Sequence, residues 1–564
     1  MTSLSRWRTT ARALLPGVRD YAGLRSCWRR DVVAGITVGV VALPLALAFG
    51  ISSGVGAAAG LVTAIVAGIV AAVFGGSNVQ VSGPTGAMAV VLAPVVAQHG
   101  PGSVAVVTIL AGAIVFVAGV TGVGRLVTVI PWPVIEGFTL GIAVIIFLQQ
   151  VPASVGTATP EGLRPLPAAV EALTTADGGT ARWALLVVAV VVVVMIGLPR
   201  LLPALPSSLV AVIAASVLVS VAALPIPRIG ELPAGLPMPT WPQADLATLH
   251  ALFGAALAIA ALAAIESLLS ARVAASLAGT AAGDPDRELV GQGMASVAAG
   301  LFGGMPATGA IARTAVNVKA GARTRIAALT HSVLLIGVVY LLSGPVGAIP
   351  LAALAAVLMV TAATMISGSV VTRIVRSGRS AALIFVLTAG VTVCLDLIQA
   401  VELGIVVAAL FALSAMARRS GVHREALPGA YRPGDERIML LRLDGAMFFG
   451  AAERMSATIA ELAVSGPAVV ILRMSGLHHL DATGAHALSR ITEQLESRGT
   501  LVIIKGVDPE QHQLLTNIGI LESLRHENHL MDSLDDAIAH ARDHVHRDNA
   551  MTPQRPAPRL DSQP

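Results

Sequence analysis

The chain has 564 residues, of which 55% are hydrophobic and 12% charged, with a mean hydropathy of +0.79 and a formal net charge of +4. A soluble domain with so few charges would expose far too much apolar surface, and the apolar residues fall in runs of roughly twenty, which is the pattern of bilayer-spanning helices. The two cysteines, Cys27 and Cys394, stand far apart without partner spacing, so no disulfide framework or metal cluster is implied.

Residues 1–30 carry Arg6, Arg8, Arg12, Arg19, Arg25, Arg29 and Arg30, with no long apolar core and no small-residue cleavage site. They read as a basic segment on the cytoplasmic face of the membrane, not as a signal peptide or a nucleic-acid-binding arm. Apolar segments follow near 32–50, 55–75, 82–98, 103–122, 127–149, 182–198 and 206–224. A second group lies near 250–271, 289–303, 308–319, 326–343, 349–367, 380–396 and 401–417. These fourteen segments form two sets of seven, spanning a transport domain at 31–418. If the N-terminus is inside, Arg125, Arg200, Arg272, Arg287, Lys319, Arg323, Arg325, Arg373, Arg376 and Arg379 all fall in inner loops. The outer loops are long and mixed (151–181, 225–249) or nearly uncharged. That segregation predicts a multi-pass protein of the inner, cytoplasmic membrane with both termini cytoplasmic.

The third segment opens with Val81-Ser82-Gly83-Pro84-Thr85-Gly86-Ala87-Met88, and the tenth with Gly303-Gly304-Met305-Pro306-Ala307-Thr308-Gly309-Ala310. Both read Pro, then Thr-Gly-Ala, at the third place of a seven-segment set. Seven is odd, so the two halves enter the membrane from opposite sides, the signature of an inverted repeat with discontinuous helices. A half-helix that begins near the midplane presents unpaired N–H groups and a positive dipole end. Pro fits at such a start, Gly admits a ligand to the backbone, and Ser or Thr caps the turn or bonds the ligand. Two such ends facing each other make a donor-rich pocket for an anion. The alternative, a Gly-Pro kink in each of two ordinary helices, is the weaker reading because the motifs match at equivalent places in the two halves.

In the eighth segment, Glu266 would repel a bound anion unless protonated or paired, which makes it the candidate for coupling to a cation. Arg313 follows Thr308 by five positions, about 7.5 Å along a helix, and is a candidate contributor to the anion site. A Glu266–Arg313 pair is geometrically conceivable, and a purely structural hydrogen bond is the alternative for each. His331 reads as a packed interface residue and Asp396 as an interfacial one.

Past Arg418-Arg419 the pattern changes to strands at 437–443, 468–473 and 501–505, alternating with amphipathic helices near 452–464, 484–498, 509–517 and 533–545. This predicts a small α/β domain over 436–546, followed by a disordered tail at 547–564.

These stretches resemble the sulfate permease (SulP) family of anion transporters over essentially the whole chain. The residues that carry the resemblance are Ala42-Leu43-Pro44-Leu45-Ala46-Leu47-Ala48-Phe49, Gly75-Gly76-Ser77, Gly83-Pro84-Thr85-Gly86, Pro131-Trp132-Pro133-Val134-Ile135-Glu136-Gly137-Phe138, Ile265-Glu266-Ser267-Leu268-Leu269-Ser270-Ala271 and Phe302 to Thr314. The resemblance implies a polytopic α-helical fold of seven plus seven inverted segments, divided into core and gate domains, working as a homodimer in the lipid bilayer. It implies a substrate site between the third and tenth half-helices, built from Ser82, Gly83, Thr85, Gly86, Ala307, Thr308 and Gly309. By the same likeness Phe49 walls that site and Arg313 supplies positive potential to it.

The C-terminal domain resembles a STAS domain through Ser475-Gly476-Leu477 leading to Asp481-Ala482-Thr483-Gly484. Soluble relatives carry a phosphorylatable Ser after that Asp, where this chain has Ala482, and Thr483 retains a hydroxyl that would cap the helix. The domain is expected to stabilise a dimer or to bind a cytoplasmic partner. Two departures bear on substrate and coupling. Leu45 stands where many members have Gln after the first-span Pro. Ala275 stands where sodium-coupled bicarbonate transporters carry Asp, which points to H⁺ symport or anion exchange more than to Na⁺. The expected activity is secondary active transport of sulfate, bicarbonate or a similar oxyanion, with no cofactor, no metal and no enzymatic chemistry. Na⁺-coupled bicarbonate uptake, proton-coupled dicarboxylate transport, or a passive channel or anion sensor are the alternatives. Nucleobase transporters share the architecture but lack the trailing domain.

Overall fold

The computed structural model describes residues 24–124, 131–160, 163–202, 205–233, 235–280, 283–394, 397–519 and 529–551, with the isolated positions 14, 16, 17, 21 and 524. Arg6, Arg8, Arg12, Arg19, Arg125, Asp396 and the tail from residue 552 lie outside the described residues. The chain divides into two compact units, Met1–Ile405 and Val406–Pro564.

The first unit is helical. Its first seven segments become α1 (Leu24–Ser52), α2 (Ala57–Phe74), α3 (Gly86–His99), α4 (Ser103–Val120), α5 (Trp132–Gln149), the short α6 (Val151–Ser154) and α7 (Pro165–Thr175), α8 (Gly178–Leu201) and α9 (Ser207–Val221). The second set becomes α10 (Leu246–Ala278), α11 (Pro285–Leu301), α12 (Ile311–Lys319), α13 (Ile326–Leu341), the short α14 (Ser343–Gly347), α15 (Leu351–Met365), the amphipathic α16 (Gly368–Ser377), α17 (Arg379–Cys394) and α18 (Leu397–Arg419), the last running past Ile405 into the second unit. Among the described residues seven stretches are long and apolar enough to cross a bilayer, one of them running through α15 and α16. Each of the fourteen segments read from the sequence contains a helix among its described residues. The extra pieces, α6, α7, α14 and α16, sit in what the sequence presented as connections.

The third and tenth segments are short for a physical reason. Fourteen residues in α3 rise about 21 Å and nine in α12 about 13.5 Å, against a hydrocarbon core of about 30 Å. The rest of each passage is extended chain, and the two extended pieces meet. Strand β1 (Ser82–Gly83) pairs antiparallel with β2 (Thr308–Gly309), Ser82 opposite Gly309 and Gly83 opposite Thr308. The antiparallel sense is what two oppositely inserted halves require. The core around this crossing is close-packed, with Leu47, Ile65, Leu92, Leu252, Leu289, Leu335 and Leu358 fully buried. Small residues let the backbones touch: a Cβ on Gly60 would stand 2.0 Å from the Ala46 carbonyl oxygen.

The second unit is a five-stranded sheet in the order β3 (Gly421–Glu425), β4 (Ile438–Met447), β5 (Val469–Leu480), β6 (Leu501–Lys505), β7 (Leu530–Met531). β3 pairs antiparallel with β4, and the other neighbours are parallel. Strand alternation divides its side chains between two cores. Leu441, Leu443, Val470, Leu472, Val502 and Ile504 pack with α19 (Ala452–Leu462), α20 (Ala482–Ser497) and α21 (Pro509–Ile518). Ile438, Leu440, Val469, Ile471, Leu501 and Ile503 pack with Ala537, Ile538, Ala541 and Val545 of α22 (Leu534–Met551). The edge strand β3 escaped the sequence reading because Gly-Val-His-Arg-Glu is short and charged, as edge strands tend to be.

Candidate functional site

Non-helical backbone inside a membrane survives only if protein groups satisfy it. At the crossing those groups come largely from the opposite half of the chain. Along the first lead-in, Glu288 Oε2 accepts from Gly76 N at 2.8 Å and Ser77 N at 3.0 Å. Asn317 Nδ2 donates to Val79 O at 2.8 Å, and Val81 N donates to Thr314 Oγ1 at 3.1 Å. Gln292 Nε2 donates to Ser82 Oγ at 2.6 Å, and Arg313 Nη2 to Pro84 O at 2.6 Å. Arg325, read from the sequence as an inner-loop charge, is fully buried. Its guanidinium donates to Ala72 O, Val73 O, Gly75 O and Asn78 Oδ1, closing the C-terminus of α2.

The second lead-in is held by neutral hydroxyls. Met305 N donates to Thr63 Oγ1 at 2.7 Å, and Ala307 N to Ser296 Oγ at 3.3 Å. Gly309 N donates to Ser267 Oγ at 3.1 Å, whose own hydroxyl reaches Thr308 Oγ1 at 3.1 Å. Ala310 N donates to Val81 O at 3.0 Å and so ties one lead-in to the other.

The candidate residues gather here. Ser82, Gly83, Thr85, Gly86, Ala307, Thr308, Gly309 and Arg313 are all buried around the β1–β2 crossing. Thr85 is the N-cap residue of α3, but its hydroxyl does not cap the helix; it donates to Glu266 Oε2 at 3.0 Å. Thr308 lies two residues before the N-cap residue Ala310 and likewise does not cap. The shared Thr-Gly-Ala reading is therefore displaced in space: Thr308-Gly309 pairs with Ser82-Gly83, while Thr85-Gly86 begins the helix itself.

Arg313 and Glu266 are not joined in a direct ion pair. They engage neighbouring residues instead, Arg313 on the Pro84 carbonyl and Glu266 on the Thr85 hydroxyl. Arg313 Nη1 has no hydrogen-bond partner among the described residues, and a Cβ on Gly83 would lie 2.6 Å from it. Glu266 is half-buried and Arg313 buried. Phe49 packs at the first turn of α3: a Cβ on Gly86 would meet Ile146 Cδ1 at 2.3 Å and Phe49 Cε1 at 3.2 Å. Ala275 lies nine residues beyond Glu266, about 13.5 Å along α10. It lines a separate cavity of about 130 Å³ with Gly76, Ser77, Asn78 and Arg323. His331 is fully buried with no partner on either ring nitrogen among the described residues.

The arrangement offers first-turn N–H groups of two half-helices, a buried guanidinium behind one of them, and hydroxyls in between. That is an environment for a small anion, with a carboxylate within one hydrogen bond of it. Sequence reading missed Glu288, Gln292, Ser296, Thr63 and Asn317. A usable signal was present, since Glu288, Gln292 and Ser296 recur every fourth residue and mark one polar face on a membrane helix.

In the α/β unit, Asp481 rather than Thr483 caps α20, accepting from Gly484 N at 2.7 Å. Thr483 and Ala482 are exposed on the first turn.

Residues 28–388 match the family model described as "Sulfate permease family", and residues 432–537 match "STAS domain". The chain is 33% identical over 516 residues to the "Putative sulfate transporter YvdB" of Bacillus subtilis, covering 90% of this chain and 97% of that one. It is 31% identical over 529 residues to the "Bicarbonate transporter BicA" of Synechocystis, covering 88% and 92%. The structure of the murine Solute Carrier 26 family member A9 anion transporter in the inward-facing state superposes with a TM-score of 0.82 at 17% identity, over 94% of this chain and 92% of that one. That last likeness is one of fold.

Proposed function

The chain belongs to the sulfate permease family, whose members are multi-pass membrane transporters and not enzymes, and from that premise we propose that it carries a small inorganic oxyanion, sulfate or bicarbonate, across the cytoplasmic membrane by secondary active transport. The observation that carries this reading is the crossing of β1 and β2, which brings two half-helix N-termini, Arg313 and the Thr85–Glu266 bond into one place. In this reading the oxyanion sits against Ser82, Thr85, Gly86, Thr308 and Gly309, with Phe49 as a wall. Arg313 acts through the backbone: its bond to the Pro84 carbonyl holds a positive charge behind the peptide that precedes α3.

Glu266 is the coupling group. Thr85 links it to the first turn of α3, so its proton and the anion are sensed by the same residue, as H⁺ symport needs. Ala275 supplies no carboxylate to a sodium site, which supports H⁺ symport or anion exchange over Na⁺ coupling. The basic inner loops support cytoplasmic termini. A homodimer and a cytoplasmic partner of the STAS domain complete the proposal.

The deciding experiment is uptake of labelled sulfate and labelled bicarbonate into proteoliposomes, with an inward proton gradient, a sodium gradient or neither. Uptake above equilibrium that follows the proton gradient and is lost in Glu266→Gln supports the reading. Bicarbonate uptake driven by sodium shifts coupling to other ligands. Uptake that only equilibrates, even with a counter-anion trapped inside the vesicles, makes the protein a channel.

A further inference from the structure

Glu288 and Gln292 lie on α11, outside the residues assigned to the anion, and are almost completely buried. Glu288 accepts on both oxygens: Gly76 N and Ser77 N on Oε2, and Gln292 Nε2 on Oε1 at 2.9 Å. A carboxylate that accepts on both oxygens dictates which end of a neighbouring amide faces it. With Glu288 ionised, Gln292 presents its NH₂ to it, and the second hydrogen of that group goes to Ser82 Oγ. Gln292 Oε1 is left with no partner among the described residues, a cost the arrangement accepts. Ser82 Oγ is thus an acceptor toward α11, and its own hydroxyl hydrogen has no protein acceptor among the described bonds. On the opposite strand Ser267 takes the Gly309 N–H and donates to Thr308 Oγ1, whose own hydroxyl turns to Gly309 O at 3.4 Å.

We propose that Glu288 and Gln292 are positioning residues that polarise Ser82 so that its hydroxyl donates to the transported oxyanion. The proposal rests on the transport reading for its ligand. Its geometry, a buried Gly76/Ser77–Glu288–Gln292–Ser82 chain, stands independently. The same chain ties the backbone after α2 to the floor of the site, so the lead-in and the donor are set together. An oxyanion whose oxygens only accept gains from a donor at Ser82, and loses if that hydrogen is turned inward.

The test is Glu288→Gln. An amide there keeps an oxygen for Gly76 and Ser77 but turns an NH₂ toward Gln292, which flips. Gln292 Oε1 then takes the Ser82 hydrogen. With whichever of sulfate or bicarbonate the wild type carries, KM in proteoliposomes is expected to rise about tenfold, the worth of one hydrogen bond to a charged group, with kcat little changed. Ser82→Ala is expected to do the same, and the double variant is expected to be no worse than Ser82→Ala alone. An unchanged KM in Glu288→Gln, or additive effects in the double variant, would overturn the proposal. If the wild type carries neither anion, the transport reading fails and the donor role of Ser82 with it, and hydrogen exchange then decides whether the Glu288–Gln292–Ser82 chain sets the lead-in. Gln292→Leu in the purified full chain is expected to speed exchange across residues 79–85 and leave 303–310 unchanged. Equal exchange in both segments sinks it.

Discussion

At the scale of single residues, the crossing is governed by what each atom can donate or accept. Gly83 has φ +154 and faces Arg313 Nη1 and the Ala64 backbone, where a Cβ would lie at 2.6 and 3.3 Å. Gly83→Ala therefore forces the guanidinium off the Pro84 carbonyl or shifts α2, and uptake is expected to fall at least tenfold. Arg313→Lys separates charge from geometry. An ammonium can reach Pro84 O but cannot place a fork across Gly83, so transport should drop about ten- to a hundredfold while the protein still purifies as a folded species. Were Arg313→Lys fully active, a simple positive charge would suffice. Thr85, Thr308 and the glycines were legible in the sequence because the Pro and Thr-Gly-Ala reading recurs at equivalent places in the two halves. Their partners were not: whether a Thr hydroxyl caps its own helix or reaches Glu266 depends on α10, which is 181 residues away along the chain.

At the scale of elements, the two lead-ins solve one problem with different chemistry. The first is held by Glu288, Asn317 and Arg325, and the second by Thr63, Ser267 and Ser296. Thr63 accepts from Met305 N at 2.7 Å while donating to Ala59 O. Thr63→Val keeps the shape and strands one buried N–H, a loss of about 1–3 kcal/mol. The expected result is a thermal midpoint lower by several degrees in a purified-protein melt, at about 2–4 °C per kcal/mol or less for so large a unit. An unchanged midpoint would show that Met305 N finds another acceptor. Helix positions were legible because apolar runs of bilayer length have few other uses. The β1–β2 pairing was not, because two-residue strands of Ser-Gly and Thr-Gly carry no alternation and exist only where the halves meet.

At the scale of the whole molecule, the chain is two units with separate cores, and calorimetry of the purified protein is expected to show two unfolding transitions. In the α/β unit, Arg542 grips Asp435 with two hydrogen bonds, both at 2.8 Å, and these hold the Asp435 carboxyl below the ordinary carboxylate range. A depressed carboxylate adds stability that is complete above its unfolded pKa and is lost as pH falls through the folded value. The transition of this unit should therefore be steady in this respect from pH 8 to about 5 and fall below about 4. Arg542→Ala should lower that transition alone at neutral pH and flatten its acid limb; movement of the helical unit's transition would contradict the division. By itself the sequence determined the fourteen hydrophobic segments, the two broken helices, the trailing α/β domain and the family, because bilayer length, half-helix starts and strand periodicity are local properties. Only the tertiary structure decided that the broken segments pair as strands, that Arg313 grips a carbonyl instead of Glu266, and that Arg325 closes a helix end. It also decided that Glu288 and Gln292 reach Ser82. Each of these joins residues more than two hundred positions apart, where satisfaction of buried polar groups, not local preference, chooses the partner.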